Sequence, residues 1–177
     1  MPKVSINLVF DASSEGRIYE LWRRLEAQGL MVPGLTGYRP HITLSAYEAE
    51  APDDLIGDLA DVAHRHRGFP VRLDTVGCFV DHAVLYLGAR VSRDLLGLHH
   101  SVHEHVAATS AAPPVAEFLY PDQWVPHLTI ATGRSIEELP AALEILLRSY
   151  LPIEARGTDI TVRVHPSTED YLVLSLG

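Results

Sequence analysis

The sequence predicts an α+β fold: antiparallel sheets with helices on their outer faces and a groove between two lobes. Three observations predict it. About seven short, alternating, β-branched segments run through the chain. Four amphipathic segments with helical spacing lie between them, in an order that mixes hairpins with single crossovers. One short strand pattern occurs twice, each time after a strand, a helix and a Pro-rich loop, as in a degenerate internal duplication.

Ser5–Phe10 alternates and reads as the first strand. Ser13 and Ser14 offer an N-cap with Glu15 in the first turn, and Ile18, Leu21, Trp22 and Leu25 recur at helical spacing before a stop at Gly29. A turn-rich stretch from Val32 to Gly37 leads to Pro40 and a strand, His41–Tyr47. Pro52 and Asp53 open a second helix, Leu55 to about His66, closed by Gly68. Phe69–Val80 reads as one or two strands interrupted at Gly77, and Val84–Ala89 as another. Asp94–Thr109 is helical, with Leu95, Leu98, Val102 and Val106 on one stripe. After the loop Ser110–Pro114 and Trp124-Val-Pro126 comes the strand His127–Ala131. Ser135 and Glu138 form a capping-box pattern before a helix bearing Pro140 in its first turn and Leu143, Leu146 and Leu147 on its stripe. Ile160–Val164 and Tyr171–Leu176 close the chain as strands around Pro166-Ser167.

Composition narrows the function classes. The 177 residues are 47% apolar and 21% charged, which suits one compact domain and rules out disorder or a fibrous repeat. No apolar run approaches the length of a membrane span, and MPKVSINLVF lacks the apolar core and cleavage site of a secretory signal. The single cysteine, Cys78, has no partner for an internal disulfide, which fits a reducing compartment; a cytoplasmic location is expected. The net charge is −9, with 8 basic and 12 acidic residues over 1–88 and 6 and 11 over 89–177. Long duplex nucleic acid is held through many phosphate contacts, so neither half suits it. Lys3 is the sole lysine. Any nucleotide ligand is expected to be small or engaged at one end.

The repeated pattern carries the functional reading. Arg39-Pro40-His41-Ile42-Thr43-Leu44 and Val125-Pro126-His127-Leu128-Thr129-Ile130 both read Pro-His-apolar-Thr-apolar, with the histidines about 86 residues apart. Strand side chains alternate, so His41 and Thr43 share one face while Ile42 and Leu44 lie behind; the same holds for His127 and Thr129. Each strand presents an imidazole beside a hydroxyl. A pseudo-two-fold arrangement would set the two faces on opposite sides of one groove. Histidine titrates nearest neutral pH, so two can act as base and acid about a phosphorus while two hydroxyls donate to its oxygens.

Duplicated His-x-Thr-x after proline resembles the 2H phosphoesterase superfamily, which includes the 2′-5′ RNA ligase-like proteins and cyclic phosphodiesterases. The resemblance spans nearly the whole chain through its element order. It implies that His41 and His127 are the acid–base pair and that Thr43 and Thr129 bind phosphate oxygens. It implies a 2′,3′-cyclic phosphate or related small ester as substrate, a small cyclic nucleotide or an RNA end as partner, and no metal or other cofactor. It also implies lobes that interleave, so residues 1–177 are expected to form a single two-lobed domain.

Arg39 and Arg134 are candidates for screening substrate charge, and Tyr38 and Trp124, beside the motifs, for stacking on a base. His99 and His103 are spaced i, i+4 like a helical zinc pair, but no HExxH pattern or third ligand accompanies them, and a solvated helix face is expected. The competing readings are a non-catalytic binder of nucleotides or RNA ends on the same fold, and a 2′-5′ RNA ligase.

Overall fold

The computed structural model describes residues 2–33, 37–48, 53, 59–109, 114–133, 136–149 and 152–177. Among them are seven strands and four α-helices. In chain order these are β1 (Lys3–Phe10), α1 (Ala12–Glu26), β2 (His41–Glu48), α2 (Leu59–Arg65), β3 (Phe69–Phe79), β4 (Val84–Ala89), α3 (Arg93–Thr109), β5 (His127–Thr132), α4 (Leu139–Ser149), β6 (Ile153–Val164) and β7 (Leu172–Ser175).

All strand pairs are antiparallel, and the sheet order is β2-β1-β6-β3-β4-β5, with β7 pairing β6 off that path. The long strand β6 belongs to both lobes. Its first part, Ile153–Gly157, pairs with β3; its second part pairs with β1 on one edge and with β7 on the other. Gly157 is the changeover, opposite Phe10 on one side and Phe69 on the other. β2 and β5 end the path and lie against each other, so the sheet rolls round until the two motif strands meet.

Burial follows the alternation read from the motifs. Ile42, Leu44, Leu128 and Ile130 are fully buried, while His41, Thr43, His127 and Thr129 are half-buried on the opposite face. Removing one of these aliphatic side chains to alanine costs about 2–5 kcal/mol. α1 packs on β6 and β5, α3 on β2 and β3, and α4 on β4 and β5. The expected stripe of α3, Leu95, Leu98, Val102 and Val106, is buried as read.

Four readings are corrected. The α1 cap is Asp11, whose carboxylate accepts from Ser14 N at 2.8 Å, because the chain turns into the helix directly out of β1. β3 runs unbroken through Gly77, where an added Cβ would meet the Tyr86 ring at 2.3 Å; the glycine makes room for that ring. β6 begins at Ile153 rather than Ile160, since β3 pairs with Ile153–Gly157 and β1 pairs from Gly157 onward, which holds the polar stretch Glu154–Asp159 extended. The face of α3 carrying His99 and His103 is turned inward rather than solvated: positions 99 and 103 flank the apolar stripe on a helix covered by β2 and the chain before β5. Pro52, Leu55 and the Ser135 cap lie outside the described residues, so the second helix is seen from Leu59 onward. No described helix is long and apolar enough to cross a membrane.

Candidate active site

His41, Thr43, His127 and Thr129 line one cavity of about 460 Å³ between β2 and β5. The two histidines are held alike. His41 Nδ1 lies 2.6 Å from the Arg39 carbonyl and His127 Nδ1 lies 2.7 Å from the Val125 carbonyl, in each case two residues back on the same strand entrance. A carbonyl only accepts, so Nδ1 carries a proton and Nε2 is left to take or give a proton in the cavity. The buried Pro40 and Pro126 form each entrance and supply no competing N–H.

The electrostatics of the two halves differ. Burial pushes the His41 imidazole down to about 4; its bond to the Arg39 carbonyl offsets part of that, and the nearby Arg163 guanidinium and His127 ring add to the lowering. Burial also lowers His127, again offset by its carbonyl contact. Around His127 are aromatic rings: Phe79 at 4.7 Å and Tyr86 at 5.3 Å between centroids, with Phe118 at 5.7 Å. Around His41 the floor is polar. Ser5 and Asn7 from β1 are buried there, and Arg163 from β6 is 1% exposed, paired with Asp170 at 2.7 Å.

The two tryptophans tie the motif strands across the seam. Trp22 Nε1 donates to the Thr129 carbonyl at 3.3 Å, and Trp124 Nε1 donates to the Thr43 carbonyl at 3.1 Å. Each indole comes from chain preceding one motif and caps the other.

Of the remaining candidates, Tyr38 lines the cavity. Arg39 and Trp124 are not among its lining residues. The Arg39 guanidinium donates to Glu15 at 2.7 Å and lies 3.5 Å from Asp170, which commits it to neighbouring carboxylates. Trp124 is stacked on His99, with centroids 3.8 Å apart, and spends its N–H on Thr43. Arg134 lies outside the described residues. His99 is fully buried with Nε2 at 3.3 Å from the Leu119 carbonyl, and His103 Nδ1 meets the Tyr47 hydroxyl at 3.3 Å. No group of three or more His, Cys, Asp or Glu able to hold a metal occurs among the described residues.

The cavity also contains groups that the sequence reading did not assign. Ser5, Phe118 and His165 line it, and Asn7 touches Thr43 from below. Ser5 and Asn7 did carry a signal: polar residues at alternate positions of a strand whose other residues are apolar. His165, just before a proline in a turn, carried none.

A family model for the 2′-5′ RNA ligase superfamily matches residues 10–169. The chain belongs to that superfamily. No curated protein sequence matches. Among solved structures, Escherichia coli LigT complexed with 3′-AMP is similar at a TM-score of 0.64 and 16% identity, covering 99% of both chains. The TT0787 protein of Thermus thermophilus is similar at 0.62 and 15% identity, covering 98% of this chain and 97% of that one. Usb1 of Kluyveromyces marxianus is similar at 0.54 and 15%, with the same coverage. At these identities the likeness speaks to fold, and the resemblance drawn from the two motifs stands.

Proposed function

We propose that this superfamily member is a phosphoesterase that opens a 2′,3′-cyclic phosphate, or a related small phosphodiester, by two-histidine acid–base catalysis. The observation that carries the reading is the matched pair of imidazoles in one cavity, each with Nδ1 fixed on its own strand's carbonyl and Nε2 left for the reaction. One histidine takes a proton from water as its oxygen bonds to phosphorus. The other gives a proton to the departing ribose oxygen as the phosphorus–oxygen bond breaks. One water is consumed and a phosphomonoester is left. Thr43 and Thr129 hold the non-bridging oxygens.

The asymmetry of the cavity supports a division of roles. Arg163 disfavours a positive His41, which suits the base; among the described residues no cation lowers His127 in this way, which suits the acid. Tyr38 and Phe118, on the walls, fit the nucleoside portion. Small nucleotides and RNA ends suit the size of the cavity and the net charge of −9 better than long duplexes. LigT structures hold 3′-AMP, ATP and phosphate, in line with this ligand class. We take residues 1–177 as one two-lobed unit, supported by the strand shared between the lobes, and a reducing, cytoplasmic setting suits the free Cys78.

The test is hydrolysis of nucleoside 2′,3′-cyclic monophosphates by wild type, His41→Ala and His127→Ala. The reading expects turnover in wild type and a loss of at least ~10²-fold in either variant with a modest change in binding. Full hydrolysis by the double variant overturns it. Ligand binding without turnover in a folded wild type favours a binding module.

A further inference from the structure

A chain of hydrogen bonds runs along the cavity wall from Tyr38 through His165, Ser5 and Asn7 to Thr43. The Tyr38 hydroxyl lies 3.3 Å from His165 Nδ1, and His165 Nε2 lies 3.1 Å from Ser5 Oγ. Asn7 Nδ2 donates to Ser5 Oγ at 3.2 Å, and the Thr43 hydroxyl donates to Asn7 Oδ1 at 3.3 Å. Ser5 and Asn7 are i, i+2 on β1, so one strand face carries the chain from the third histidine to the motif threonine. Asn7 is fully buried and Ser5 is 5% exposed, so solvent does not replace either partner.

Direction matters in such a chain. With Thr43 donating to Asn7, its hydroxyl offers only lone pairs to the cavity, and lone pairs repel a phosphate oxygen. The carboxamide of Asn7 has the same shape when turned over. Nδ2 then donates to Thr43, Ser5 donates to Oδ1, His165 Nε2–H donates to Ser5, and Tyr38 donates to Nδ1. Every link of the chain is kept, and the weak 3.5 Å contact from Asn7 to the Ser5 carbonyl is given up. In this direction the Thr43 proton is free for an anion.

We propose that His165 is a positioning residue: acting through Ser5 and Asn7, it sets the direction in which Thr43 hydrogen-bonds and turns the Thr43 proton toward the bound phosphate. The proposal rests on Thr43 holding a phosphate oxygen, as above. It assigns the substrate-bound state one polarity of the chain, with Nε2–H of His165 donating to Ser5. His165 does not need to touch the substrate. Its two nitrogens are occupied by Ser5 and Tyr38, and its ring lies beside Tyr38 at 6.2 Å between centroids.

A double-mutant cycle between Thr43 and His165, joined through Ser5 and Asn7, tests this. The variants are Thr43→Val, His165→Phe and the pair, read by kcat and KM on a 2′,3′-cyclic nucleotide and by calorimetric titration with inorganic phosphate. His165→Phe is expected to lower kcat/KM about 10-fold, and the pair to fall no further than Thr43→Val alone. His165→Gln, which keeps a donor for Ser5, is expected to recover most of what His165→Phe loses. Losses that multiply, or a His165→Gln as poor as His165→Phe, overturn the proposal while leaving the hydrolase reading intact. A wild type that binds phosphate without turnover defeats the hydrolase reading, and the same cycle on phosphate affinity then decides the role of His165. A wild type that neither turns over nor binds phosphate overturns both. If His165→Phe melts early, Tyr38→Phe removes the donor to Nδ1 instead and is expected to weaken phosphate binding; unchanged binding contradicts the chain.

Discussion

His41 and His127 sit in matched backbone settings with unmatched neighbours, and the difference is measurable. If His127 protonates the leaving oxygen, a phosphodiester with a p-nitrophenolate leaving group needs little help from it, because that anion departs without a proton. His127→Ala is then expected to retain far more activity on the p-nitrophenyl ester than on a cyclic nucleotide, while His41→Ala is poor on both. Equal losses on both substrates contradict the division of roles. The four motif residues were legible because a strand's alternation fixes which side chains share a face, and duplication made the pattern specific. Arg39 and Trp124, chosen for their nearness to the motifs, do not line the cavity. Proximity in sequence to His41 and His127 said nothing of Glu15, Asp170 and His99, which come from remote segments and engage them. His165 was illegible for the converse reason: its partners come from remote segments, Ser5 through the pairing of β1 with β6 and Tyr38 from the chain before β2.

At the scale of elements, two devices close the groove: the shared strand β6 and the crossed indoles. Gly157 carries β6 past both β1 and β3, and an added Cβ there would meet Leu8 at 2.9 Å in the core. Gly157→Val is expected to cost about 1–3 kcal/mol in urea unfolding through overpacking at the changeover; an unchanged midpoint would mean that the lobes tolerate separation there. The indole ties predict a different pattern. Trp124→Phe keeps a ring to stack on His99 but loses the bond to the Thr43 carbonyl, so it is expected to lower stability by about 0.5–1.5 kcal/mol and turnover more visibly than that. A stability loss with unaltered turnover would show that the tie does not position the site. Propensity and periodicity read the helices and short strands well. They missed the first half of β6, whose Glu154-Ala-Arg-Gly-Thr-Asp run has weak strand character and is held by partners on its edges.

Over the whole molecule, buried imidazoles dominate the response to acid. His99 is fully buried, and burial, with the neighbouring His103, pushes it down to about 4; the unfolded chain titrates near 6.5. Between those values the unfolded state binds a proton that the folded state refuses, so stability is complete above about 6.5 and falls as pH drops toward 4. For His99 alone the difference is on the order of 3 kcal/mol. His41, His127, His103, His66 and His165 are all lowered in the same direction. Urea unfolding at pH 7.5 and 4.5 should show a large acid loss that His99→Phe makes smaller; an equal loss in the variant contradicts the assignment. The two-lobed plan was legible from the repeated strand and the element order, whereas the inward face of α3 was not. Histidine's polarity pointed outward there, and only the packing of Trp124 and Tyr47 against it turns it in. The central claim remains that two matched imidazoles act on one phosphodiester. Its most direct measurement is turnover of 2′,3′-cyclic nucleoside monophosphates in EDTA by wild type, His41→Ala and His127→Ala. Metal-independent turnover that falls at least ~10²-fold in each folded variant is the predicted result, and turnover that survives the loss of both histidines would contradict it.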